Sequence, residues 1–334
     1  GYGIRYRYGL FRQTFRNGWQ QEEADDWLRF GDPWSVRRDE EKVLVRFGDQ
    51  RVYAVPYDMP VIGYRPGEKD SVVNTLRLWQ AEPIEAFDFH AFNEQRYEEA
   101  VREKNRAEAI SSVLYPNDDT DAGKRLRLKQ QYFFVSASLQ SILKEFKKKF
   151  GTDFSEFPNQ YAIQLNDTHP TVAIPELLRL FMEQENLPFE EAFVIVQKTL
   201  AYTNHTIMAE ALEKWNCSLF ASVLPQVYPY VVMIHLRLKR ELAQKGMEES
   251  EQQAFLILEK DMVHMARLAI YSTHSTNGVA KIHTEILKQS ALRQWYRLYP
   301  QRFVNETNGI TQRRWLALCN PELSGFITDR IGSG

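Results

Sequence analysis

Apolar and polar residues alternate through residues 42–55 around Gly48-Asp49, a period of two about a turn pair that predicts a β-hairpin. Residues 72–79 read as a further strand. From residue 130 to 150 the apolar positions Phe134, Val135, Leu139, Ile142, Leu143, Phe146 and Phe150 fall at helical spacing, which predicts a core helix. Residues 96–114 also read as a helix, but one whose middle, Arg102-Glu103-Lys104-Asn105-Arg106, is polar on every side. Such a helix is either a solvated surface element or one that projects between bodies.

A short buried strand is expected at residues 161–165, then a polar loop at 166–170, then a helix at 173–184 with Pro175 in its first turn. A strand, a polar loop and a helix form the α/β unit whose strand C-terminus faces a ligand crevice. Further helices are expected at residues 190–199, 207–215, 230–244, 250–270 and 277–288. Strands alternate with helices in the second half and the first half carries a β-rich insertion, so the class is α/β.

Composition narrows the functional classes. The 334 residues are 43% apolar and 26% charged, with a net charge of −2. That is a globular profile without the basic surplus that would hold nucleic acid. No apolar run reaches the roughly 18 residues a membrane helix needs, and no signal peptide opens the chain. The two cysteines, Cys217 and Cys319, are far apart and form neither a disulfide framework nor a metal pair, which fits a reducing, cytoplasmic setting. The seven histidines show no close metal-ligand spacing, so no metal is expected. The opening Gly1-Tyr2-Gly3-Ile4-Arg5-Tyr6 reads as mid-domain sequence, and a fragment of a longer protein is expected.

Candidate chemistry sits in five loops, Tyr115–Asp119, Asn166–Pro170, Tyr202–Thr206, His274–Val279 and Asn305–Ile310. Each gathers Asn, Asp, His or Thr, the neutral donors and acceptors that sugar hydroxyls require. The same residues make turns and helix caps. Asp118 and Asp167 could also form a glycosidase-type carboxylate pair.

Read in order, these segments resemble the α-glucan (glycogen, starch and maltodextrin) phosphorylases. The resemblance runs through Gly1-Tyr2-Gly3-Ile4-Arg5-Tyr6, Glu23-Ala24-Asp25-Asp26-Trp27-Leu28, Tyr115-Pro116-Asn117-Asp118, and Leu126 to Phe133. It continues through Gln164 to Pro170, Ala201 to Thr206, Asn277-Gly278-Val279-Ala280, and Thr307 to Thr311 with Arg313-Arg314-Trp315.

The resemblance implies a two-domain, doubly wound GT-B architecture with the active site between the domains. Residues 1–334 would be a single partial domain, Rossmann-like, from the N-terminal glucosyl-site half, without a preceding glycine-rich loop or a C-terminal domain. The implied reaction is phosphorolysis: inorganic phosphate releases the terminal α-1,4-linked glucose of a glucan as glucose 1-phosphate, with retention. The implied cofactor is pyridoxal 5'-phosphate, held by a lysine of the C-terminal domain and acting through its phosphate; this chain alone would bind none and be inactive.

By the same resemblance His205, Asp167 and Asn308 are the catalytic-site residues. His205 and Asn308 would share the 6-hydroxyl, and the His205 carbonyl would face the anomeric carbon. Thr206, Asn277 and Val279 would line the glucosyl site, Asp118 and Asp119 would lie on a mobile gate loop, and Trp315 would stand near the cofactor. A homodimer with the helix near 96–110 at its interface is implied as well.

Three departures from the animal enzymes stand out. The gate loop lacks aromatics after Asp119, Lys144-Glu145 replace an arginine pair for nucleotide activation, and Val232 and Met233 replace polar residues of a remote glucan-anchoring helix. A bacterial-type, unregulated enzyme is expected. The rival reading is a non-catalytic carbohydrate-binding module.

Overall fold

A computed structural model describes residues 1–63, 72–208 and 212–332. The mixed α/β architecture is built on two main sheets joined by one long helix.

The first sheet holds β1 (Tyr2–Ile4), β4 (Val36–Arg37), β5 (Val43–Arg46), β6 (Arg51–Gly63) and β7 (Val72–Pro83), in the order β1-β7-β6-β4 with β5 also on β6. Strands β5 and β6 are the hairpin expected at residues 42–55; the Phe47 N–H closes it on the Gln50 carbonyl at 2.8 Å. β2 (Gly9–Arg16) and β3 (Trp19–Asp25) form a separate exposed ribbon turning at Asn17-Gly18, both with positive φ.

The second sheet is parallel. Its strands β8 (Ile163–Asn166), β9 (Leu200–Asn204), β13 (Thr276–Gly278) and β14 (Phe303–Asn305) lie in the order β14-β13-β9-β8. Every residue of β9 is buried, as a central parallel strand requires.

The helix Asp121–Phe150 joins the two sheets. Thr120 caps it, accepting from the Gly123 N–H, and Lys147, Lys148 and Lys149 occupy its last turn, where cations suit the helix dipole. It packs on β5 on one side and on the helix Ala173–Arg179 on another, which is why its buried residues run beyond a single stripe: Leu128, Phe133, Leu139, Leu143 and Phe146 among them. Within it the Trp79 indole N–H finds the Ser138 hydroxyl at 3.1 Å. No helix among the described residues is long and apolar enough to cross a membrane.

Three helices expected from the sequence are corrected. Residues 96–114 are not one helix: Tyr97–Ala100 and Arg102–Ala109 are separated at Val101. The Ala100 carbonyl accepts from the Asp88 N–H at 3.0 Å, and this tertiary bond diverts it from the helical ladder. The second piece buries Ala107, and Ile110 just beyond it, and packs on β7, so its polar middle is the outer face of a surface helix.

The described residues of 207–215 are not helical either. Residues 209–211 lie outside the described residues, and Lys214–Asn216 is strand β10. Residues 250–270 divide into the helix Glu249–Gln252, a hairpin of β11 (Leu258–Glu259) and β12 (Met262–His264), and the helix Met265–Ser272. The hairpin turns on Lys260 and Asp261, with φ of 50° and 58°. Good helix formers are overridden there because β12 also pairs with β10, Lys214 opposite His264.

Candidate functional site

The four strands of the parallel sheet end in step. Asn166 of β8 stands opposite Thr203 of β9; Asn277 of β13 stands opposite Thr203 and Val304; Gly278 stands opposite Asn204 and Asn305. Four of the five loops singled out in the sequence therefore leave the sheet from one edge, the C-terminal edge where open α/β sheets bind ligands.

Each loop is shaped by its own side chains. Asn204 is fully buried; its amide donates to the Tyr202 hydroxyl at 3.0 Å and its Oδ1 accepts from the Thr206 N–H at 3.1 Å. This turn within the side chain ends the strand and presents His205 to solvent. The His205 Nε2 bonds the Asn166 Oδ1, tying the ends of β9 and β8 together. Asp167 takes a left-handed φ of 69°, while its N–H remains on the Thr203 carbonyl at 2.9 Å. A non-glycine residue held there costs on the order of 1–3 kcal/mol and occurs where the surroundings over-determine the turn.

Asp118, Arg127, Asp167, His169, Thr206 and Glu213 line one cavity of about 490 Å³ at this edge. The Asp118 carboxylate accepts from the Arg127 guanidinium at 2.7 Å. The loop bearing Asp118 is seated on the long helix through Gly123, where a Cβ would lie 1.8 Å from the Asn117 carbonyl oxygen, so only glycine permits this approach. Asp119 bonds to Asn117 twice and is exposed. The two carboxylates considered as a glycosidase pair share the cavity.

Three lining residues were not singled out from the sequence. His169 lies with Nδ1 3.7 Å from the Glu213 carboxylate, an ion-pair contact longer than a hydrogen bond, and Glu213 raises the imidazole above its usual range against the opposing effect of burial. Glu213 also accepts from the Gln131 amide at 2.8 Å. Buried Arg127 Nε, His169 Nδ1, Glu213 Oε2 and Trp215 Nε1 have no hydrogen-bond partner among the described residues, the character of a polar ligand-facing wall. His169 was visible in the same loop as Asp167; Glu213 was hidden because residues 207–215 read as a helix.

The remaining expected residues are placed unequally. Val279 leaves β13 half-buried, its N–H bonded to His283 Nδ1 at 3.1 Å. Asn277 is buried and its amide is occupied by main chain: Oδ1 accepts from the Glu306 N–H at 2.6 Å and Nδ2 donates to the Glu306 carbonyl at 3.2 Å. Asn308 is exposed three residues beyond β14. Trp315, 57% exposed, lies in the helical turn Arg313–Leu318.

The only buried lysine among the described residues is Lys129, committed to Asp49 at 2.8 Å and to Gln50 at 2.9 Å. Lys124 and Lys214 line the cavity, and both are exposed.

The parallel sheet with polar loops at its C-terminal edge defines a mixed α/β protein, and sequence comparison supplies the family. The profile of the carbohydrate phosphorylase family matches residues 1–334, and the chain belongs to that family. It is 47% identical over 359 residues to the brain form of glycogen phosphorylase from Bos taurus, covering 100% of this chain and 42% of that protein. It is 46% identical over 357 residues to the Bos taurus muscle form and to the Homo sapiens brain form, in each case covering 99% of this chain. The chain spans 42% of the length of these relatives.

Proposed function

We propose that this chain forms the glucosyl side of an α-glucan phosphorylase acting on glycogen or maltodextrin. The observation that carries the reading is the register of β8, β9, β13 and β14, which brings the amide, histidine and aspartate loops to one sheet edge. The fold is then the Rossmann-like, doubly wound N-terminal half of a GT-B enzyme, in the cytoplasm.

In the reaction, the bond between the anomeric carbon and the glucan's 4-oxygen breaks, and a phosphate oxygen bonds the same face of that carbon. The phosphate's proton passes to the leaving oxygen, and glucose 1-phosphate departs with retained configuration. His205 supplies two contacts: its imidazole, fixed by Asn166, bonds the 6-hydroxyl with Asn308, and its carbonyl faces the positive charge that develops at the anomeric carbon. A dipole fixed beforehand stabilises that charge without reorganising. Asp167, Thr206 and Val279 line the glucosyl pocket, with Asn277 behind them; Asp118 and Asp119 belong to the gate loop.

Pyridoxal 5'-phosphate would supply a phosphate for proton transfer. Its attachment lysine belongs, in this reading, to the C-terminal half: the buried Lys129 is paired elsewhere, Lys124 and Lys214 on the cavity wall are exposed, and Trp315 would offer a wall.

A homodimer through residues 96–110 is part of the same reading. Tyr97 is 57% exposed beside Phe92, and Tyr97→Asp with Val101→Asp should shift the dimer toward monomer in sedimentation.

The deciding experiment measures glucose 1-phosphate from maltodextrin and phosphate. A full-length protein containing this chain should produce it, and residues 1–334 alone should not. Maltodextrin binding by a full-length protein that releases no glucose 1-phosphate would favour the non-catalytic module instead.

A further inference from the structure

The ends of β13 and β14 are joined by two side chains that act as backbone. The regular ladder stops at the Gly278–Asn305 pair. The Asn277 carboxamide then receives the Glu306 N–H at 2.6 Å and donates to the Glu306 carbonyl at 3.2 Å, so it binds one residue's donor and acceptor as a neighbouring strand would. In return the Asn305 amide donates to the Gly278 carbonyl at 2.7 Å. The anchor beneath is stiff. A Cβ on Gly278 would lie 2.2 Å from the Thr284 hydroxyl oxygen, and that hydroxyl is itself bonded to the Ala280 carbonyl at 2.9 Å.

We infer that Asn277 and Asn305 form a reciprocal lock that positions Asn308, making Asn277 a positioning residue for recognition of the sugar's C6 hydroxymethyl group. This rests on the reading in which Asn308 contacts the 6-hydroxyl. Asn308 follows Glu306 by two residues, a reach of at most about 7 Å, so fixing the Glu306 peptide restricts where the Asn308 amide can go. The Asn277 carboxamide is buried, its oxygen and nitrogen both face Glu306, and it does not line the cavity. Its effect therefore passes through the loop.

The test uses full-length protein in the synthetic direction, with glucose 1-phosphate and its 6-deoxy analogue as donors. Asn277→Ala should lower kcat/KM for glucose 1-phosphate by on the order of 10-fold to 100-fold and leave the value for the 6-deoxy donor nearly unchanged. In an Asn308→Ala background the same change should cost less than about threefold, because coupled residues are not additive. Asn305→Ala breaks the other half of the lock and should give the same selective loss if Asn277→Ala does not fold. An equal loss on both donors would make the lock merely structural and overturn the inference. An Asn308→Ala variant that still discriminates between the two donors as strongly as the unaltered protein would instead defeat the functional reading, and the lock's role would fall with it.

Discussion

Arg179 grips the fully buried carboxylate of Glu176 with two nitrogens, Nε to Oε2 at 2.8 Å and Nη2 to Oε1 at 3.0 Å. The Tyr132 hydroxyl and the Ser136 hydroxyl complete four donors to the one carboxylate, at 3.0 and 2.8 Å. The group thereby pins the helix Ala173–Arg179 to the long helix behind the site. Glu176→Ala leaves the guanidinium, 13% exposed, with Glu183 alone at 2.7 Å, takes the acceptor from the Tyr132 and Ser136 hydroxyls, and should lower stability by about 1–3 kcal/mol in urea denaturation. A loss under about 1 kcal/mol would show that water replaces the carboxylate freely.

Replacing His205 tests the sugar contact. In the full-length protein His205→Ala should lower kcat/KM by on the order of 10²-fold, the scale of one positioned polar group in a dry site. The main-chain carbonyl survives the change, so activity should persist. An unaltered rate removes His205 from the site.

Nucleotide activation is not expected. A cavity of about 800 Å³ is lined by Arg77, Lys144, Lys148 and Lys149, but also by Glu41, Asp58 and Glu145. Arg77 is held by Asp58 through bonds of 2.7 and 2.8 Å and by Glu41 at 2.5 Å, and Lys149 is held by Glu145 at 2.5 Å. A nucleotide phosphate on Arg77 or Lys149 would have to displace carboxylates already paired, and one on Lys144 or Lys148 would share the cavity with Glu145. AMP titrated into the full-length enzyme should leave phosphate saturation unaltered; several-fold activation would contradict this.

Acid should act through His264. Burial first, then the charges of Arg267 and Lys214, push its imidazole from 6.5 down to about 4, despite Glu259 at 3.5 Å. The unfolded chain therefore takes up a proton before the folded one does. Stability is full above pH 6.5 and falls as pH drops toward 4, by up to about 3 kcal/mol from this group. His264→Gln should flatten that part of the pH–stability curve; an unaltered slope would assign it to other groups.

The sequence located the polar loops of the sheet edge better than it located the elements around them. Asn166, Asp167, His205 and Val279 were legible because their loops follow short apolar strands, and the parallel register then brings those loops together. Residues 207–215 and 250–270 were misread because Lys214, Glu259 and Met262 are acceptable helix residues. Only the pairing of β10 with β12, across more than 40 residues, makes them strands. The break at Val101 had no local signal, since it depends on Asp88 reaching the Ala100 carbonyl. The role of Asn277 was equally hidden, because a carboxamide that completes a sheet and one that meets a sugar look the same in sequence.

Gly123 does more than admit the Asn117 carbonyl. It couples the Asp118 loop to one end of a 30-residue helix whose other end carries Lys144, Lys148 and Lys149 at the charged cavity beside β1. Such a helix is a rod about 45 Å long, so pivoting it by about 3° about one end carries the other through about 2 Å. A bulkier residue at position 123 would part the loop from the rod.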